Sequence, residues 1–159
     1  MEDSTKAARE LQLVIFKVGK EEFGVEINQV KEIVRLIPIT PVPKAPYFVE
    51  GVVNLHGQIL AVIDLARRLN LKANPRSEKA RIIVLEVEEN TVGMIVDEVI
   101  EVVRVLKEDI GGKPELIVGD VQYEYLKGVA KLGERLIIII DLAKTFSPEE
   151  VEEIGKGKA

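Results

Sequence analysis

The chain has one histidine, His56, and no cysteine among its 159 residues. Sites that need a thiolate, a disulfide, several histidine ligands or a histidine relay are therefore excluded by residue type. His56 stands in the segment Leu-His-Gly-Gln, which is typical of a hairpin turn between two strands. A structural or contact role is favoured over catalysis for a single histidine at such a position.

Asp64 and Asp141 are the two aspartates that could act as a general acid and base. Each of them, however, directly precedes Leu-Ala and a basic residue. An aspartate just before a helix accepts hydrogen bonds from the first free N–H groups, so the shared pattern predicts helix caps. The glycines form no phosphate-binding motif, and Gly111-Gly112 is interpreted as a flexible turn. The sequence thus predicts no enzymatic activity, no cofactor and no metal, and favours a binding protein.

Composition and charge narrow the class of protein further. Hydrophobic residues make up 47% and charged residues 31% of the chain, which is typical of a soluble globular domain. The net charge of −5 and the lack of a basic stripe argue against nucleic-acid binding. No apolar run is longer than that of residues 136–140, which is too short to cross a membrane, and residues 1–10 lack the apolar core of a signal peptide. We therefore expect a cytoplasmic protein without membrane insertion, and the Lys and Glu content favours a thermophilic source.

Two pairs of segments repeat along the chain. Residues 51–69 match residues 128–146 at seven of nineteen positions, and residues 14–36 match residues 83–105 at six positions. The offset is 77 in one pair and 69 in the other, which places an eight-residue insertion before residue 125. Because the matched segments occur in the same order, we predict an internal duplication.

Alternating apolar residues and turn signals predict mostly strands. Gly51 interrupts an apolar strand, which predicts a bulge or a close backbone approach. The first copy is predicted to contain strands at 11–18 and 23–25, a helical turn within 27–34 leading into a third strand, a proline loop at 40–46, strands from 48 and at 59–63, and a short helix at 65–69. The second copy is predicted to contain strands at 81–88, 91–96 and 99–106, a loop at 107–119, and a final helix from Ser147 to Gly155.

The segment PVPKAPYFVEGVVNLHGQILAVIDL closely resembles the hallmark of the CheW chemotaxis coupling proteins. LVIFKVGKEEFGVEINQVKEIVRL and VGMIVDEVIEVVRV are similar to the same family, and the resemblance covers residues 11–155. It implies a mainly β fold of two five-stranded SH3-like barrels from the duplication, with short helices and a C-terminal helix. The chain departs from the family at His56, where arginine is usual, and at Ala61, where proline is usual.

The resemblance and the repeats together suggest the domain organisation. Exchange of strands between the barrels would make residues 11–155 a single CheW-like domain. The expected segments are a first barrel repeat at 11–69, a linker at 70–80, a second repeat at 81–146 and a C-terminal helix at 147–156.

The resemblance implies a non-enzymatic cytoplasmic adaptor that joins the regulatory domain of the histidine kinase CheA to the cytoplasmic tips of methyl-accepting chemoreceptors. Two other classes stay open. A small-ligand-binding or enzymatic β-barrel would need a pocket with convergent polar groups. An SH3-like nucleic-acid-binding module would need a basic face.

The implied adaptor needs two docking surfaces, which we predict on the duplicated elements. The receptor is expected in a groove between the barrels, and the kinase around the stiff proline loop, where Gly51 would let a partner backbone approach. The predicted receptor groove consists of Ile27, Val30, Glu32, Ile33, Val99 and Val102. The predicted kinase surface consists of Ile39, Val42, Lys44, Gly51 and His56.

Overall fold

The structure is a computed structural model that describes residues 9–72, 74–87, 89–111 and 126–141. Within these ranges the chain forms eleven strands, one short α-helix and two single-turn 3₁₀ helices. The strands are β1 (Glu10–Val18), β2 (Glu21–Glu26), β3 (Val30–Arg35), β4 (Val49–Leu55), β5 (Gln58–Asp64), β6 (Arg81–Val87), β7 (Asn90–Val96), β8 (Glu98–Leu106), β9 (Ile110–Gly111), β10 (Leu126–Leu132) and β11 (Arg135–Ile140). The helix α1 spans Leu65–Arg68, and the 3₁₀ turns span Ile27–Gln29 and Lys107–Asp109.

The strands form two sheets, and each sheet is one SH3-like barrel. Barrel 1 has the strand order β8-β1-β2-β11-β10-β9, and barrel 2 has the order β3-β6-β7-β5-β4. The hairpin β1–β2 of the first copy therefore lies among strands of the second copy, and the hairpin β6–β7 lies among strands of the first. The predicted mainly β fold of two SH3-like barrels is confirmed, and each barrel is built from both copies.

The two exchanged hairpins are attached in the same way. β1 pairs antiparallel with β8, and β6 pairs antiparallel with β3. On the other side of each hairpin, β2 pairs parallel with β11, and β7 pairs parallel with β5. Strands that pair in parallel cannot be joined by a tight turn, and here the parallel partners come from different copies. The arrangement of one barrel thus repeats that of the other, as expected for a duplicated chain.

Three hydrophobic clusters stabilise the barrels. The largest, which we call the shared cluster, combines residues of both sheets, such as Phe16 and Phe23 of barrel 1 with Met94 of barrel 2. The rings of Phe16 and Phe23 stack with centroids 5.9 Å apart. Two smaller clusters fill the barrels, one around Leu13 in barrel 1 and one around Val62 in barrel 2. Separation of the barrels would expose the shared cluster to water, so each barrel stabilises the other.

The short helix after β5 has the predicted cap. The Asp64 side chain accepts hydrogen bonds from the backbone N–H groups of Ala66 and Arg67, at 3.0 and 3.4 Å. The helix ends at Arg68, one residue before its predicted end. Within the described residues, no helix is long and apolar enough to cross a membrane.

Two predicted elements are corrected by strand pairing. The helical turn predicted within 27–34 is limited to Ile27–Gln29, because Val30 already pairs with Leu85 of β6. The loop predicted at 107–119 contains β9, which pairs with β10. The predicted C-terminal helix at 147–156 lies outside the described residues.

Candidate functional site

The residues predicted for a receptor groove lie on or beside β3 and β8, which are edge strands in the described part of the two sheets. The duplication makes these two strands equivalent. An offset of 69 places Val30 on Val99 and Ile33 on Val102. Both equivalent pairs also have similar surroundings, so the two strands present the same pattern on different barrels.

Ile33 and Val102 are the accessible members of this set, with relative exposures of 38% and 50%. Directly opposite them on the neighbouring strands lie Ile83 and Val14, which belong to the shared cluster. Side chains that lie directly opposite each other share one face of a sheet. The two exposed side chains therefore border the shared cluster, and we call Ile33 and Val102 the edge pair.

Three other predicted groove residues contribute to the core. Ile27, Val30 and Val99 are half-buried and pack against the shared cluster. A charged side chain at any of these positions would have to displace apolar contacts, which destabilises the fold. The predicted groove set thus divides into the edge pair and three residues with a structural role.

Glu32 belongs to neither group. It lies opposite Val84, which is part of the cluster inside barrel 2. Its Oε1 atom lies 2.8 Å from Nε2 of His56, and the two side chains are 39% and 72% exposed. The structure therefore joins a residue predicted for the receptor groove to one predicted for the kinase surface.

His56 occupies the hairpin turn that the sequence predicted. His56 and Gly57 connect β4 to β5, and both have positive φ angles, +53° and +83°. Two-residue hairpin turns of this kind match the twist of the flanking strands. The Asn54 side chain accepts a hydrogen bond from the Gly57 N–H at 3.1 Å. The Asn54 hydrogen bond thus stabilises the turn, and the His56 side chain contacts Glu32.

The proline loop between β3 and β4 combines one packed and one exposed residue from the predicted kinase surface. Ile39 is half-buried and packs against the cluster inside barrel 2. Lys44 is exposed and has a φ of +63°, and Val42 between them is half-buried. The loop is therefore fixed to barrel 2 at Ile39 and presents Lys44 to solvent.

The close backbone approach predicted at Gly51 is present, but the approaching backbone is the chain's own. A Cβ atom on Gly51 would overlap the carbonyl oxygen of Thr40 and lie 2.9 Å from Ile39 Cγ2. Thr40 pairs with Val52 through two backbone hydrogen bonds of 2.9 and 2.8 Å. The space at Gly51 is occupied, so the expectation that a partner backbone would enter there is corrected.

The second copy repeats this arrangement. A Cβ atom on Gly128 would lie 2.6 Å from the Gly111 carbonyl oxygen, and Gly111 pairs with Val129. The register of both hairpins shifts just before the glycine, which is the signature of a β-bulge. Both glycines thus serve the fold.

An ion network that the sequence did not predict lies beside α1. Arg76 contacts Glu50 at 2.9 Å and Asp64 at 3.1 Å, and Arg67 contacts Glu50 at 3.2 Å. The hydrogen bond from Arg76 lowers the pKa of Glu50, and the same bond raises the pKa of Arg76. No sequence signal links these residues, because Arg76 lies in the predicted linker, 26 positions from Glu50.

Tyr47 is a second feature that the sequence analysis missed. Its side chain is 67% exposed, and its ring meets Phe48 edge-on at 5.6 Å. The Arg68 guanidinium lies 4.4 Å from the Phe48 ring centre. An aromatic residue directly after Pro46, in a chain with only 4% aromatic residues, is the signal that would have identified it.

Barrel 1 has its own charged group at the position that corresponds to the Glu32–His56 contact. Arg135 contacts Glu22 at 2.7 Å and Glu101 at 2.8 Å, and Glu101 is the equivalent of Glu32. Hydrogen bonds to Glu22 and then Glu101 raise the pKa of Arg135 above its ordinary value. In barrel 1 the duplicated glutamate thus pairs with a permanently charged arginine, which lies two positions after Gly133, the equivalent of His56.

The described residues contain no group of three or more His, Cys, Asp or Glu side chains that could hold a metal ion. Asp64 is occupied by its cap hydrogen bonds and by Arg76. The helix that Asp141 was predicted to cap lies outside the described residues.

Comparison with known proteins identifies the family. A model of the CheW-like domain matches residues 12–150. The chain is 36% identical over 150 residues to the chemotaxis protein CheW of Treponema pallidum, covering 92% of this chain and 88% of the relative. It is 37% identical over 153 residues to the chemotaxis protein CheW of Rhizobium meliloti, covering 93% and 98%. The crystal structure of the scaffolding protein TtCheW from Thermoanaerobacter tengcongensis matches with a TM-score of 0.80 and 34% identity, covering 88% and 90%.

These matches extend over most of the chain and agree with the two barrels of the fold. The matched proteins are chemotaxis coupling and scaffold proteins, so the function class implied by the resemblance is confirmed. This chain belongs to the CheW-like domain family.

Proposed function

We propose that this chain is a non-enzymatic cytoplasmic adaptor that couples the histidine kinase CheA to the cytoplasmic tips of methyl-accepting chemoreceptors. The observation that carries the proposal is the CheW-like domain over residues 12–150, with chemotaxis relatives matched over most of their own length. An adaptor must offer two partners separate surfaces, and the described residues provide a candidate for each.

The edge pair is the candidate surface for the receptor. Ile33 and Val102 are exposed apolar residues at equivalent positions of the two barrels, and both border the shared cluster. An amphipathic helix places its apolar face on surfaces of this kind. A receptor tip that contacts both residues would therefore span the two barrels.

The proline loop and the neighbouring turn are the candidate surface for the regulatory domain of CheA. Lys44, Tyr47 and His56 are exposed there, and Val42 is half-buried. Pro41, Pro43 and Pro46 restrict the loop, and a loop already held in its bound conformation loses less entropy on docking. Ile39 packs against the cluster inside barrel 2, and Gly51 lies against the backbone of Thr40. Both residues therefore hold the loop in place and need not contact the partner.

The absence of enzymatic activity is part of the proposal. Asp64 is one of the two aspartates that could act as a general acid or base. Its carboxylate is engaged in the helix cap and in the contact with Arg76, which supports this part of the proposal. Release of phosphate from a phosphorylated substrate by the purified chain, lost in a folded Asp64→Asn variant, would contradict this part.

The experiment is calorimetric titration of the purified chain with the CheA regulatory domain and, separately, with a receptor tip fragment. Ile33→Asp and Val102→Asp are expected to weaken receptor binding at least tenfold, about 1.4 kcal/mol, and to leave kinase binding unchanged. Lys44→Glu and His56→Ala are expected to weaken kinase binding and to leave receptor binding unchanged.

Leu136→Asp is the matched control. Leu136 is an exposed apolar residue of barrel 1, at 42%, and belongs to neither candidate surface. We expect this variant to bind both partners like the wild type. A wild-type chain that binds neither partner would contradict the proposed function, whereas a Leu136→Asp variant that fails like Val102→Asp would show that the receptor surface is misplaced.

A further inference from the structure

Two clefts lie at equivalent positions of the duplicated fold. The first, of about 380 Å³, is lined by residues 10–12 and 26–28 and by Arg104. The second, of about 520 Å³, is lined by Arg35, Leu36 and residues 77–81. The offset of 69 places Arg35 on Arg104, Lys79 on Glu10 and Arg81 on Gln12. Each cleft thus lies between the end of a third strand and the start of a first strand.

The two clefts differ in charge although they correspond in position. The first contains two glutamates and one arginine among its lining residues. The second contains Arg35, Lys79 and Arg81 with a single carboxylate, Glu78, and so has a net charge of +2 in a chain of net charge −5. We call this second cleft the cationic cleft. A cleft lined mainly by positive charge attracts anions, even on a chain that is negatively charged as a whole.

The two arginines of the cationic cleft lie side by side. Arg35 of β3 is directly opposite Arg81 of β6 in the strand register. Like charges directly opposite each other destabilise a sheet unless another group neutralises them. In the first cleft the equivalent Arg104 lies opposite the neutral Gln12. The cationic cleft therefore contains a like-charge pair where the first cleft has none.

The guanidinium groups of the pair are still able to donate. One terminal nitrogen of Arg81 donates to the carbonyl oxygens of Glu78 and Ala80, both at 2.8 Å, which orients the group and leaves its other nitrogens available. Within the described part of the chain, the side chain of Arg35 has no hydrogen bond and no ion pair. No protein carboxylate among the described residues neutralises either arginine.

Lys79 and Ser77 add further donors at the same cleft. The Lys79 ammonium group lies 3.6 Å from Glu98 and its side chain is 75% exposed, so this ion pair is loose. The Ser77 hydroxyl oxygen accepts a hydrogen bond from the Lys79 N–H at 3.1 Å, and its own O–H stays available as a donor.

We propose that the cationic cleft is a binding site for a phosphate group. Two adjacent guanidinium groups, an ammonium group and a hydroxyl offer more donors than the two oxygens of a carboxylate can accept, whereas a phosphate has at least three acceptor oxygens. The net charge of +2 also matches a phosphate dianion. The group is either a free phosphate or the phosphate of a nucleotide.

The test is a titration of the isotope-labelled chain with pyrophosphate at low ionic strength, followed by NMR. The amide signals of residues 77–81 are expected to shift in the wild type. Arg35→Gln and Arg81→Gln are each expected to weaken pyrophosphate binding about tenfold, because each removes a charge-assisted hydrogen-bond donor. Arg104→Gln removes the same charge at the equivalent position of the other cleft, and it is expected to change the affinity less than twofold.

Two further ligands distinguish the source of the phosphate and the alternative anion. ADP that binds more tightly than pyrophosphate identifies a nucleotide, and equal binding identifies the phosphate alone. An acidic tetraglutamate peptide that binds more tightly than pyrophosphate would overturn the assignment in favour of a protein partner. Unchanged signals at residues 77–81, or equal weakening by Arg35→Gln and Arg104→Gln, would also overturn it. If Arg81→Gln unfolds, Arg35→Gln still tests the proposal. The side chain of Arg35 makes no described hydrogen bond or ion pair that this substitution would remove.

Discussion

Glu32 on β3 lies 2.8 Å from His56 in the turn between β4 and β5, and this contact spans one end of barrel 2. At the equivalent place in barrel 1, Glu101 lies 2.8 Å from Arg135. The duplicated glutamate therefore reaches the last described hairpin of its own copy in both cases, β4–β5 in the first copy and β10–β11 in the second. The partner differs because the turn of the first copy contributes a histidine and the hairpin of the second contributes an arginine.

The Glu32–His56 contact is expected to contribute little to stability. Both side chains are well exposed, at 39% and 72%, and exposed pairs of this kind contribute roughly 0.2 to 1 kcal/mol. A double-mutant cycle with Glu32→Gln and His56→Ala, measured by urea unfolding, should give a coupling energy in that range. Lys44→Ala combined with His56→Ala is the control, and its effects should add to within about 0.5 kcal/mol. A coupling above about 2 kcal/mol would mean that the contact holds the barrel closed.

The two bulge glycines are expected to be equally intolerant of a side chain. Gly51→Ala and Gly128→Ala should each lower the free energy of unfolding by about 2 to 3 kcal/mol, because the new Cβ would collide with the backbone of Thr40 or Gly111. The measurement is chemical denaturation of both variants beside the wild type.

Gly57→Ala is the control for these glycine variants. Gly57 has a φ of +83° with nothing within 4 Å of a Cβ position, so only the conformational cost of about 1 kcal/mol should appear. A Gly51→Ala variant as stable as the wild type would show that Thr40 does not pair with Val52 in solution.

Shortening the side chain at equivalent positions of β3 and β8 should change the free energy of unfolding by similar amounts. Val30→Ala and Val99→Ala are each expected to cost about 1 kcal/mol, because both side chains pack against the shared cluster. Ile33→Ser and Val102→Ser are expected to stay within about 0.5 kcal/mol of the wild type, because the edge pair is exposed. Thermal and urea unfolding of the four variants would test this pattern. A large loss in Val102→Ser would show that Val102 is covered in solution.

Glu50 should make the stability of the chain sensitive to acid. Its pKa in the folded state is lowered from 4.5, chiefly by the hydrogen bond from Arg76, so its contribution is fully present above about pH 4.5. The contribution is then lost as the pH falls through the folded pKa below that value.

The measurement for Glu50 is the free energy of unfolding of wild type and Glu50→Gln between pH 7 and pH 3. The wild type should be the more stable protein at pH 7, and the difference should shrink below pH 4.5. Glu78→Gln is the control, because no described contact of the Glu78 carboxylate is lost with its charge. A difference between wild type and Glu50→Gln that grows on acidification would contradict the lowered pKa.

The sequence by itself determined the features that depend on neighbouring residues. The His56-Gly57 turn, the Asp64 cap and the bulge at Gly51 were predicted because turn geometry, capping and bulges each involve only a few consecutive positions. The duplication was also readable, since it is a property of the sequence order. The family resemblance rested on one continuous motif and was confirmed over residues 12–150.

Only the tertiary structure decided how the copies combine. A barrel could be built from one copy alone, or it could exchange its first hairpin with the other copy. Both arrangements have the same strands in the same order along the chain, so sequence repeats cannot distinguish them. The contacts that distinguish them join residues of different copies, such as Arg35 with Arg81 and Val14 with Val102. Other tertiary contacts placed Thr40 against Gly51 and brought Arg76 to Glu50. Local preferences carry no information about such pairs, because the energy that selects them comes from packing the shared cluster between the two barrels.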